Sequence, residues 1–295
     1  MKLPSVTIKQ LLEAGVHLGH KTFRWNPRMK KFIFGAKNSI HIIDLVQTLE
    51  MSNVALHEIH KCISSGGKIL FVSTKKQAAE TIANLAKETS QFYVNHRWLG
   101  GMLTNWKTIS NSIKRYKKLI IDLQKETTGF TKKENLKMML QKDKLERSLG
   151  GIAEMKKIPN LVFIIDTNVE DLAVKEALKL NIPIIAIVDT NSDPTGINFP
   201  IPGNDDARRA INLYCDLIKQ TILDAEQHIN KDNPEKDNEK PQATIQENNE
   251  IKKIDKVKKI SKDNNEIKKD NVKVVKKISK SIFSKVKALA SKSKK

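Results

Sequence analysis

The residues best suited to chemistry are five carboxylates, Asp166, Asp189, Asp193, Asp205 and Asp206, and two histidines, His17 and His20. The carboxylates follow apolar runs of strand type, and open α/β sheets take their ligands at the C-terminal ends of strands. One reading is therefore an Mg2+ site serving an α/β enzyme on a phosphorylated or nucleotide substrate. The plainer reading is structural. Asp189, Asn191 and Asp193 would satisfy backbone donors in the turn DTNSDP, and Asp205 would cap the last helix. His17 and His20, three residues apart, suit a shared metal, but no third ligand lies near them in sequence. No catalytic residue and no cofactor is expected. If an ion is held, it is a structural Mg2+ or Zn2+, with His17, His20, Asp189, Asp193 and Asp205 as the candidate ligands.

Nucleotide chemistry lacks its usual equipment. Neither GxGxxG nor GxxxxGK occurs, and Gly66, Gly67 and Lys68 precede a strand pattern instead of following one. Neither histidine lies beside a nucleophile in sequence, so triad chemistry has no support.

A different chemistry is written in KTFRWNPRMKKFIFGAK, residues 21–37, which holds Lys21, Arg24, Arg28, Lys30, Lys31 and Lys37 and no acidic residue. Phe23, Trp25, Phe32 and Phe34 are interleaved. Cations neutralise phosphates while aromatic faces stack on unpaired bases. Phe32 and Phe34 are expected in the core. In NHRWLGGMLTNW, Arg97 and Trp98 precede two glycines that let backbone approach a partner, with Trp98 balanced between stacking and packing.

The elements that must position these residues alternate. KILFVS (68–73), QFYVN (91–95), LVFIID (161–166) and IPIIAIVD (182–189) read as strands, three of them near-continuous apolar runs of the kind covered on both faces. Between them lie helical patterns: one from an Asp44 N-cap to Gly66, then KQAAETIANLAKE, VEDLAVKEALKL and DDARRAINLYCDLIKQTILDAEQH. This order predicts a parallel sheet flanked by helices in three layers, of flavodoxin or Rossmann type. From 104 to 149 the strand signal stops. Ile109, Ile113, Tyr116, Ile120 and Leu123 recur at helical spacing, as do Leu136, Met139, Leu140, Leu145 and Leu149, with a turn at ETTGFT between the two series. They predict a protruding antiparallel hairpin, and Arg115, Lys117 and Lys118 place cations on its solvated face.

The 295 residues carry a formal charge of +20, which favours a polyanionic partner. Residues 231–295 hold 20 lysines and no arginine against 10 Asp and Glu, with VKKISK occurring twice. That composition predicts a disordered basic tail beyond an α/β domain at 1–230. The 231–250 stretch is its linker. Cys62 and Cys215, far apart, read as buried reduced thiols. No apolar run reaches the length of a membrane span, so a cytoplasmic protein without a membrane partner is expected.

GVHLGHKTFRWNPRMKKFIFGAKNSIHIIDL, KILFVSTKKQA, YVNHRWLGGMLTNW, SLGGIAEMKKIPN and AIVDTNSDPTGINFPIPGNDDARRAI, in this order, resemble the bacterial S-two family of small-subunit ribosomal proteins. The resemblance implies a non-enzymatic structural constituent of the small ribosomal subunit that touches its ribosomal RNA. It implies a place on the solvent side, near the junction of head and body. It also implies neighbouring ribosomal proteins as partners, including the large, flexible first protein that captures messenger RNA. The residues whose charge and ring types suit that RNA are Lys21, Arg24, Trp25, Arg28, Lys30, Lys31, Arg97, Trp98, Arg115, Lys117 and Lys118. The Lys-rich tail departs from the family pattern.

Overall fold

The computed structural model describes residues 4–124 and 131–232. The expected tail and most of the ETTGFT turn lie outside the described residues. In chain order the elements are α1 (Ile8–Ala14), β1 (Leu18–Lys21), β2 (Ile33–Lys37), β3 (Ile40–Ile43), α2 (Leu45–Ser64), β4 (Ile69–Val72), α3 (Ala79–Glu88) and β5 (Phe92–Val94). There follow α4 (Trp106–Gln124), α5 (Lys132–Leu149), β6 (Leu161–Ile165), α6 (Asp171–Lys179), β7 (Ile184–Val188), β8 (Phe199–Pro202) and α7 (Arg208–Asp232).

Five strands form a wholly parallel sheet in the order β5-β4-β6-β7-β8. Every residue of β4, β6 and β7 is buried, as their unbroken apolar runs require. The pleat sends alternate side chains to opposite layers. Ile69, Phe71, Phe163, Ile165, Ile185 and Ile187 join one core with α1, α2, α3 and α7. Leu70, Val72, Val162, Ile164, Ile184 and Val188 join a second with α4, α6 and the end of α5. Phe71 and Phe163 meet edge to face across neighbouring strands, with ring centroids 5.7 Å apart.

Asp44 caps α2 as expected, its Oδ1 accepting from the Val46 N–H at 2.9 Å. α7 departs from expectation. The turn that leads into it is held by Asn204, whose Oδ1 accepts from the N–H groups of Asp206 and Ala207 at 2.9 and 3.1 Å. Asp205 is not the cap. Two sets of strands were hidden in the sequence. β8, the edge, contains Pro200 and Pro202, which lack an N–H and so mask a strand in any propensity reading. β1, β3 and β2 form a small antiparallel sheet, with only β2 lying within the segment read as basic and aromatic.

α4 and α5 form the hairpin, with Thr131 and Glu134 building a capping box at the start of α5. Its apolar series packs only near the sheet. Ile109, Ile113, Tyr116 and Leu149 are buried, whereas Leu136, Met139 and Leu140 are exposed. Past the sheet, among the described residues, each helix packs mainly on the other, and one neighbour cannot cover a full apolar stripe. Cys215 is buried and Cys62 half-buried, and neither forms a disulfide. No described helix is long and apolar enough to cross a membrane.

Gly151, just after α5, lies so close to β5 that a Cβ there would stand 2.1 Å from the Tyr93 carbonyl oxygen. A backbone oxygen cannot move aside as a side chain can. Gly151→Ala is expected to cost about 3 kcal/mol, at the upper end of overpacking penalties. Urea unfolding of the variant against the parent measures it.

Candidate nucleic-acid interface

Segment 21–37 is held by what it buries and what it bonds. Met29 and Phe32 sink into the core, and the Asn26 N–H donates to the Thr190 carbonyl at 2.8 Å, tying the segment to the loop after β7. The Asn26 side chain accepts from the Arg28 N–H at 3.0 Å and starts a 3-10 turn over Pro27–Phe32. With those residues fixed inward, Lys21, Arg24, Lys30, Lys31 and Lys37 face outward. Phe23 is 73% exposed, and the Arg24 guanidinium lies 5.5 Å from its ring centroid. Trp25 is partly exposed, its ring 5.4 Å from that of His41. Phe34, expected in the core, is 80% exposed. It lies on β2 beside Ile33, which packs against the second core, and successive strand residues point to opposite faces, so Phe34 turns out. Arg28 forms an ion pair with Asp193, which therefore belongs to this segment and not to a metal cluster.

The hairpin's Arg115, Lys117 and Lys118 are exposed, and so is Arg97. Trp98 is not. It is 6% exposed, packed in the second core, and its indole donates to Glu176 Oε1 at 3.0 Å. Trp98 is a packing residue and no platform for a base. Glu176 also accepts from the N–H groups of Gly101, Leu103 and Thr104 and from the Thr104 hydroxyl, at 2.7 to 3.1 Å. Burial pushes its carboxyl up, but these donors outweigh burial and hold it below the ordinary range. Nothing in sequence singles out Glu176, because its partners lie more than 70 residues away.

The carboxylates meet at the sheet's switch point, between β4 and β6, where the strand order reverses. The residue at their centre is Lys75, which the sequence reading missed. Its ammonium lies 2.7 Å from Asp166 and 2.8 Å from both Asp205 and Asp206. Burial disfavours that charge, yet the carboxylates outweigh it and hold the lysine protonated. Asp205 is pushed up to about 7, by burial first and then by the charges of Asp189 and Asp166, with Lys75 opposing. His20 Nδ1 pairs with Asp189 Oδ2 at 2.8 Å, and this bond raises its pKa against burial. The crevice that would receive a substrate in an α/β enzyme holds these ion pairs of the chain itself.

His20, Asp189 and Asp205 bring ligand atoms within 4.8 Å of one another, so these three are the residues able to hold a cation here. His17 does not join them. A spacing of three shares a face on a helix but not on extended chain, where it spans opposite faces. Burial lowers the His17 pKa.

Lys75→Met leaves Asp166, Asp205 and Asp206 without their shared cation and is expected to cost about 3 to 5 kcal/mol. Asp205, with its folded pKa above the unfolded value, contributes stability below about pH 4 that is lost as pH rises through about 7. Asp205→Asn is therefore expected to flatten the fall of Tm between those values, a comparison for calorimetry. Glu176, with a depressed pKa, contributes above the ordinary carboxylate range and loses that contribution as the pH falls below it. Glu176→Ala strands several donors and is expected to cost about 3 kcal/mol at neutral pH. Urea titrations at pH 7 and pH 4 should show that difference shrinking in acid.

The family model for ribosomal protein S2 matches residues 11–225. The "Small ribosomal subunit protein uS2" of Sinorhizobium medicae is 57% identical over 224 residues, covering 76% of this chain and 88% of the relative. That of Acidiphilium cryptum is 58% identical over 224 residues with the same coverage. The Agrobacterium fabrum protein of the same name is 56% identical, again over 76% of this chain and 88% of the relative. The matched span takes in the parallel sheet, the basic segment, the hairpin and the ion-pair knot, and the chain belongs to the ribosomal protein S2 family.

Proposed function

We propose that this chain, a structural and non-enzymatic protein of the small ribosomal subunit, binds the small-subunit ribosomal RNA mainly through phosphate contacts. The cations of segment 21–37 form one arm of the contact and those of the hairpin the other. The observation that carries this reading is their exposure. Lys21, Arg24, Lys30, Lys31, Arg97, Arg115, Lys117 and Lys118 are all exposed, while Met29, Phe32, Trp98, Ile113 and Tyr116 beside them are buried. Arg28 serves with Asp193 to fix the segment as well as to add charge. Trp25 and the exposed Phe23 and Phe34 supply ring faces for unpaired bases, in place of Trp98. The Lys-rich residues 231–295 add sequence-independent, salt-sensitive affinity. Neighbouring ribosomal proteins, including the large first protein that captures messenger RNA, are held by the remaining surface, a reading supported by family membership.

Affinity for the ribosomal RNA is expected to fall steeply with salt. Reversing Arg115, Lys117 and Lys118 to Glu should lower the slope of log affinity against log salt by roughly 2, since each lost phosphate contact removes about 0.7 to 0.9. Tm should not change, because the three side chains are exposed. If the triple variant enters small subunits as well as the parent does, the hairpin is not an RNA contact. Phe23→Ala should weaken binding about tenfold without altering that slope, as lost stacking of about 1 to 3 kcal/mol would.

A further inference from the structure

Away from the basic surface, His60, Asp224 and His228 gather where the end of α2 lies beside the end of α7. Asp224 and His228 are four residues apart on one helix and so share a face, and His60 reaches them from the neighbouring helix. His60 Nε2 lies 3.4 Å from Asp224 Oδ2, and His228 Nε2 lies 3.6 Å from the same oxygen. The three ligand atoms fall within 4.8 Å of one another.

These separations are longer than ordinary N–H···O bonds, which run about 2.7 to 3.2 Å. They are close to the edge of a zinc tetrahedron, about 3.3 Å for metal–ligand bonds of about 2.0 to 2.1 Å. Among the described residues His60 Nε2 finds no hydrogen-bond partner, although it is buried. Its other nitrogen, Nδ1, meets the Ser64 hydroxyl at 3.3 Å. When Nε2 carries the hydrogen it points at Asp224 Oδ2; the tautomer that can take a cation between them has Nδ1 donating to the Ser64 hydroxyl. That is the outer bond that orients a metal-ligating histidine.

We propose that His60 Nε2, Asp224 Oδ2 and His228 Nε2 bind a divalent transition-metal ion, with zinc as the best fit, leaving a fourth position to water on the His228 side. The donors are two imidazoles and one carboxylate, which suit Zn2+ or Co2+ and disfavour Mg2+, a cation that takes oxygen ligands. The ion would clip the last turns of α7 to the end of α2. It is a different site from the His20 group and does not depend on RNA binding.

Full-length chain, stripped with a chelator, is titrated with Zn2+ against a chromophoric indicator, and separately with Co2+, whose visible absorption reports tetrahedral coordination. The parent is expected to take up one zinc at this site and to gain Tm on adding it. His228→Gln and Asp224→Asn should each weaken that uptake at least tenfold and remove the Tm gain, while His20→Gln leaves both unchanged. His228 is partly exposed, so its variant should keep the parent's circular dichroism and its zinc-free Tm. Uptake that survives both His228→Gln and Asp224→Asn, or a parent that takes up no zinc at tens of micromolar, would overturn the site.

Discussion

A lysine ammonium shared by three carboxylates is the interaction on which the upper end of this fold depends. Parallel strands all point their C-terminal ends the same way, and their loops bring Asp166, Asp189 and Asp205 together in a poorly solvated crevice. Like charges there repel strongly, and each carboxylate also loses hydration. Lys75, arriving from the loop after β4, offsets both by touching Asp166, Asp205 and Asp206 at once. It thereby ties the loops after β4, β6 and β8. His20 performs the same service for Asp189 and fastens the N-terminal segment to the loop after β7.

This knot accounts for how one architecture serves both catalysis and assembly. The switch point of an open α/β sheet is a ready crevice, and an enzyme keeps it open for substrate. Here the chain fills it with its own charges, and the same filling positions the basic segment. Asn26, Arg28 and His20 all bond to the loop after β7 or its continuation, so the exposed cations between them stand on a rigid base.

Glu176 does for the second arm what Lys75 does for the first. The loop leading into α4 contains two glycines and would otherwise present several unpaired N–H groups. One carboxylate on α6 collects those of Gly101, Leu103 and Thr104 together with the Trp98 indole, fixing where the hairpin leaves the body. Beyond that point the hairpin carries exposed leucines and cations side by side, a surface suited to a partner that is charged and partly apolar.

The sequence by itself determined the layers. β4, β6 and β7 are apolar without interruption, and that pattern has no stable place except a sheet covered on both faces. It also determined the Asp44 cap, the two hairpin helices and the cationic character of segment 21–37, all of which follow from residues within a few positions of one another. Tertiary structure decided the rest. It hid β8 behind two prolines, turned Phe34 outward and Trp98 inward, and put Asn204 on the N–H groups ahead of α7 while Asp205 pairs with Lys75. Each of these depends on a partner brought close only by folding, across 75 residues for Gly101 with Glu176 and 130 for Lys75 with Asp205. A charge or a ring carries no mark in sequence of whether its neighbour will be water or another side chain, and that choice is made by the packing of the sheet.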